Sequence, residues 1–149
     1  MAKRFRHGAA AWLLIVGLAA CKQAPAQDLT RPDPTPGPKV YFVNIVDGQT
    51  VKSPFKVVFG LKDWGVAPAG VDVPNTGHHH LLIDTTLSQE DMQYAIAKDD
   101  HHRHFGGGQT EAVLDLAPGP HTLQLVLGDK DHEPFDPPIM SQIVTVTVQ

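Results

Sequence analysis

Eight of the nine histidines of this 149-residue chain fall between His78 and His132. They stand as His78-His79-His80, His101-His102-Arg103-His104, and the single His121 and His132. Imidazole is the commonest protein ligand for transition metals, and it titrates near neutral pH. Three kinds of chemistry suit such a concentration: metal ligation, proton transfer, or a buried polar network.

Spacing narrows the choice. In Gly77-His78-His79-His80-Leu81-Leu82-Ile83-Asp84, read as a strand, His78, His80 and Leu82 share one face and His79, Leu81 and Ile83 the other. Residues two apart on a strand are about 6.6 Å apart at Cα, close enough for His78 and His80 to converge on one ion. His121 shares a face with Leu123, Leu125 and Leu127. An unpaired polar group at that edge of a core costs about 1–3 kcal/mol, so His121 requires a carbonyl, a carboxylate or a metal. His132 lies in the polar loop Gly128-Asp129-Lys130-Asp131-His132-Glu133-Pro134, directly after the same strand. His104 abuts Phe105 and Gly106-Gly107-Gly108, which allow a sharp turn or a close backbone approach. His101 and His102, beside Asp99 and Asp100, read as solvated loop.

The expected ligand set is therefore His78, His80, His104, His121 and His132. His79, Asp84, Gln109, Glu111 and Asp129 are the expected orienting or polar-network residues. Copper(II) or zinc suits such a set. The single cysteine, Cys21, rules out an intrachain disulfide and a cysteine-rich zinc or iron-sulfur site. Only Met92 and Met140 could offer thioethers beyond the first residues, which disfavours copper(I). The Asp129-Lys130-Asp131 stretch lacks the glycine and terminal glutamate of a calcium-binding EF-hand loop. The triple glycine lacks the Lys-Ser/Thr and helix of a phosphate-binding loop. No G-x-S-x-G, H-E-x-x-H or cysteine nucleophile is present, so no catalytic residues are assigned.

The first residues point to the compartment. Lys3, Arg4 and Arg6 precede a short apolar run from Ala9 to Ala20, too short to span a bilayer at roughly 20 residues. The segment ends Leu18-Ala19-Ala20-Cys21, which resembles a bacterial lipobox. That resemblance implies a signal peptide over 1–20, lipidation at Cys21, and a membrane anchor through the lipid. Lys22 after the cysteine favours the outer membrane, facing the periplasm. Residues 1–20 hold three of the twelve basic residues and none of the sixteen acids, which leaves nine against sixteen, a net charge of −7. That balance argues against nucleic acid as a partner. A protein partner is not identified by the sequence.

Residues 21–38 carry prolines at 25, 32, 34, 36 and 38 and read as an extended tether. Residues 39–149 suit one domain. Strands are predicted at Val40–Val46, Phe55–Leu61, His79–Asp84, Thr110–Leu116, His121–Leu127 and Ile143–Val148, from β-branched residues and alternation. Ser88 followed by Glu90 and Asp91 predicts a helix start, with about two turns from Met92 to Lys98. The expected fold is all-β: a single immunoglobulin-like antiparallel β-sandwich with one short helix in a loop.

Three blocks, GHHHLLID, HFGGGQTE and LAPGPHTLQLVLGDKDHEP, occur in that order and are followed by an alternating strand. Together they resemble the bacterial domain-of-unknown-function family 4399. The likeness spans about Val40 to Val148 and implies an exported domain of roughly a hundred residues. Matching motif positions are His78, His79, His80, Asp84, His104, Gly108, Gln109, His121, Asp129 and His132. The resemblance locates a site and leaves its purpose open. Three functions stand: a divalent-metal-binding lipoprotein for handling or sensing, a non-catalytic envelope module with a structural histidine network, and a copper enzyme. The last follows from the H-x-H pattern, which resembles copper-zinc superoxide dismutase, but the cysteine pair and downstream motifs of that enzyme are absent.

Overall fold

The structure is a computed structural model that describes residues 37–149. The expected signal segment, Cys21 and nearly all of the expected tether lie outside the described residues. Nine strands form among the described residues: β1 (Lys39–Phe42), β2 (Gln49–Val51), β3 (Phe55–Lys62), β4 (Gly65–Val66), β5 (Thr76–Ile83), β6 (His102–His104), β7 (Glu111–Leu114), β8 (Gly119–Gly128) and β9 (Val144–Val148). The smaller sheet has the order β1-β3-β7, and the larger runs β2-β9-β8-β5-β4 with β6 also on β5. The two sheets pack together as an all-β sandwich.

Alternation along the strands builds the core. Phe55, Val57 and Phe59 of β3 face Leu81 and Ile83 of β5, Leu123, Leu125 and Leu127 of β8, and Val144, Val146 and Val148 of β9 in one buried cluster. Val57, Leu81, Leu123, Leu125, Leu127 and Val146 are completely buried. Burying such a side chain stabilises by about 1.5–3 kcal/mol, so this cluster holds the sandwich together.

The long ladders are antiparallel, as expected: β1 with β3, β3 with β7, β5 with β8, β8 with β9. Two short strands join in parallel, β2 on β9 and β4 on β5. They have no strong alternation of their own and are positioned by the strands they edge. The first expected strand stops at Phe42 rather than Val46, where the chain bends and Ile45 drops into the core.

The expected two-turn helix is reduced to a single 3-10 turn at Asp91–Gln93. The start signal is real: Ser88 N donates to Asp91 Oδ2 at 2.8 Å and Asp91 N donates to Ser88 Oγ at 3.2 Å, a reciprocal capping arrangement. Propagation fails because Tyr94 is extended and Ile96 is recruited elsewhere. Its side chain packs with Leu82 and Val126, and its N–H donates to the carbonyl of His132 at 2.9 Å.

The edge of β5 positions the functional residues. β8 flanks β5 on one side. On the other side β4 takes the first part of β5 and β6 the last part. In this register His80 lies opposite His104 and His78 opposite Gly128. Phe105 N donates to His79 O and Ile83 N to His101 O, so His80 and His104 form the closer, non-hydrogen-bonded type of pair.

A candidate metal centre on the outer face of the larger sheet

β5 divides its histidines as strand alternation requires. His79, Leu81 and Ile83 turn inward toward the smaller sheet, where the His79 ring packs 5.3 Å from the ring of Phe59. His78, His80 and Leu82 turn outward. That outer face is covered by loops, so His78 and His80 are fully buried, as is His79 on the inner face.

Four rings meet there. The centroids of His78 and His80 are 4.8 Å apart, those of His78 and His104 5.1 Å, and those of His78 and His132 5.1 Å. His80 lies 5.1 Å from His104, and His104 4.7 Å from His132. Among the described residues, His78, His104 and His132 each offer a ring nitrogen such that all three lie within 4.8 Å of one another. Ligands at about 2.0–2.1 Å from one ion must fall within that range. These three can hold a metal ion.

The backbone positions each ring. β6 lays His104 beside β5, and Gly106 gives its ring room: a Cβ at Gly106 would fall 2.3 Å from Cε1 of His104. Gly128 does the same for His80, where a Cβ would lie 2.8 Å from Nε2. His132 is set by its loop. Asp129 Oδ1 accepts the N–H groups of Asp131 at 2.8 Å and Glu133 at 2.9 Å, and His132 N donates to Asp129 O at 3.1 Å. The loop holds His132 at φ 73°, a left-handed conformation that costs a residue other than glycine about 1–2 kcal/mol. Local strain of this kind concentrates at functional positions.

Burial lowers the pKa of His78, His80 and His104. It pushes His78 down to about 4, with the neighbouring His104 and His132 adding to the effect and Asp129 opposing it. Burial, then the neighbouring histidines, push His80 to about 3. His104 is lowered by burial, His132 and Lys98. Neutral imidazole is the ligating form. Nδ1 of His78, Nδ1 of His80 and Nε2 of His104 are buried without a hydrogen-bond partner. The one hydrogen bond inside the quartet joins His80 Nε2 and His78 Nε2 at 3.0 Å.

Other expected residues go elsewhere. His121 sits near the start of β8, far from the β8 end that carries Gly128, and stays out of the cluster. Its Nδ1 donates to Asp84 Oδ2 at 2.7 Å, and its Nε2 lies 2.9 Å from the carbonyl of Ala117. Both nitrogens are engaged, so the need for a partner is met without a metal. Asp84 also accepts the N–H of Thr122 at 2.8 Å, and it pins a turn rather than the centre. Gln109 is exposed and accepts the N–H of Gly107. Glu111 is exposed and pairs with Lys56 at 2.8 Å. His79 lies on the opposite face, lowered to about 4 by burial; the backbone of Gln109 and of Gly60 offsets this in part without meeting good hydrogen-bond geometry. Asp129 is a loop former beside His78. His102, expected as solvated loop, is instead half-buried in β6 and bonded to Asp99 at 2.8 Å. Gly106 belongs to the glycine run already singled out beside His104, whereas Gly128 is the residue that spacing alone did not single out as part of the site. Its signal is position: it opens the loop that carries His132.

Comparison with known proteins places the chain by family alone. No curated protein and no solved structure matches it. Residues 57–149, more than half of the chain and all but β1 and β2 of the sandwich strands together with the start of β3, match one family. The chain belongs to that family, which is described as a domain of unknown function, DUF4399.

Proposed function

We propose that this chain is an envelope-anchored binding module for a divalent transition metal, copper(II) or zinc, held by His78, His104 and His132. The observation that carries this reading is the convergence of three ring nitrogens within 4.8 Å. Two further features support it. Burial lowers the pKa of His78 and His104, and His78 Nδ1 and His104 Nε2 are buried without partners. Each unsatisfied buried nitrogen costs about 1–3 kcal/mol, and a bound ion gives such atoms their partner.

The His78–His80 hydrogen bond favours a second reading, a purely structural histidine network. The unpartnered nitrogens weigh against it, because a network that stabilises the fold satisfies its members. Titration of untagged protein with copper(II) and zinc decides between them. One equivalent bound at micromolar concentration or tighter, lost on His104→Ala or His132→Ala and retained in His121→Ala, supports the metal centre. Equal weak uptake by all of these proteins refutes it.

The anchor rests on Leu18-Ala19-Ala20-Cys21 and the basic residues before it. Cells labelled with palmitate should yield labelled protein in the membrane fraction, and Cys21→Ala should abolish the label. Unchanged labelling of the variant would contradict the anchor.

A further inference from the structure

His78, His104 and His132 supply three donors, and zinc or copper(II) takes four or more. His80 is the nearby ring that would complete a closed four-histidine site. Its geometry speaks against that role. Its Nε2 is hydrogen-bonded to Nε2 of His78 at 3.0 Å. Its centroid stands 6.2 Å from that of His132, the longest separation in the quartet, and it is not in the group that closes within 4.8 Å. The same hydrogen bond occupies Nε2 of His78 and leaves the buried, partnerless Nδ1 as its free donor. A second-layer group that engages one nitrogen of a ligating imidazole fixes which nitrogen meets the metal.

His104 also borders a surface groove. It lines a groove of about 440 Å³ formed with Lys98, Arg103, Phe105 and β7 residues Ala112 and Leu114. Lys98 and Arg103 are exposed and take part in no ion pair among the described residues. The carboxylate in the groove, Asp99, is already engaged by the N–H groups of His101 and His102 and by the His102 ring. The groove therefore presents net positive charge beside one of the three donors.

We propose that an ion at this centre keeps an exchangeable fourth position, reached from the groove and taken by water or by a small monoanion, while His80 orients His78 through its hydrogen bond instead of ligating. This inference rests on the metal-binding reading above and specifies its ligand class. Lys98 and Arg103 draw the anion in.

The test uses the full chain loaded with copper(II), with azide as the probe. Saturable growth of an azide-to-copper charge-transfer band is expected. Replacing both exposed cations, Lys98→Ala with Arg103→Ala, should weaken azide binding roughly threefold or more at low salt and less at high salt. In zinc-loaded protein, long-range 15N correlation spectra should show His78 bound through Nδ1 and a protonated or hydrogen-bonded Nε2. A copper protein that shows no azide band and four coordinated imidazoles would overturn the proposal while leaving metal binding intact. Azide binding indifferent to the double replacement would remove the groove as its route. A chain that takes up no metal would overturn both readings together. The zinc spectra need no variant, so they decide the role of His80 even if the replacements disturb the fold.

Discussion

His78 and His121 are the same side chain in opposite electrostatic settings. Burial holds His78 at about 4, whereas the hydrogen bond His121 donates to Asp84 raises His121 above its ordinary value. The consequences for stability have opposite signs. A histidine of depressed pKa contributes stability that is complete above about pH 6.5 and is lost as the pH falls toward its folded value, at up to about 1.4 kcal/mol per pH unit. His78, His79 and His80 all belong to this class. His121 contributes stability that is complete below about pH 6.5 and is lost as the pH rises through its raised value. Urea unfolding of the metal-free protein should therefore show stability falling steeply from pH 6.5 to 5. His121→Ala should cost about 1–3 kcal/mol, more at pH 6 than at pH 8. A flat profile from pH 7 to 5 would contradict the buried neutral rings. Residue types alone singled out His78, His80, His104 and His132 as the place for chemistry. They could not separate His121, because its partners, Asp84 Oδ2 and the Ala117 carbonyl, are set by the β5–β8 register and a turn that spacing does not specify.

At the scale of elements, the site depends on β5 being flanked by two different strands on one edge. β6 is only three residues long, yet it lays His104 opposite His80. β8 ends at Gly128 opposite His78, and its following loop delivers His132. Gly128→Ala tests this arrangement. The added Cβ would lie 2.8 Å from His80 Nε2, so the His80 ring must shift and carry the His78 hydrogen bond with it. The expected outcome is a folded protein by circular dichroism, destabilised by about 1–3 kcal/mol, with metal affinity reduced roughly tenfold or more. Unchanged affinity would show that the His80–His78 contact does not govern the site. Long alternating strands were legible in the sequence: β3, β5, β8 and β9 all carry core residues at every second position. β2, β4 and β6 were not, because two or three residues carry no periodicity and their pairing is decided by neighbours distant in sequence. The helix start at Ser88 was legible from its capping residues, but its length was not, because Ile96 is claimed by Leu82 and Val126.

At the scale of the whole molecule, core and site are separate. The main hydrophobic cluster lies between the sheets, whereas the histidine quartet lies on the outer face of the larger sheet, beside the small cluster of Leu82, Ile96 and Val126. The sandwich thus acts as a rigid support, and the groups that would meet a ligand hang on one strand, one edge strand and one loop. No helix among the described residues is long and apolar enough to cross a membrane. The division predicts that the protein folds without metal and gains one ion at one place. The most direct measurement is anomalous diffraction at the zinc or copper edge from crystals of the metal-loaded, untagged chain. The account predicts a single strong peak about 2.0–2.1 Å from ring nitrogens of His78, His104 and His132. A peak at His101, His102 or His121, or none at the quartet, would contradict it.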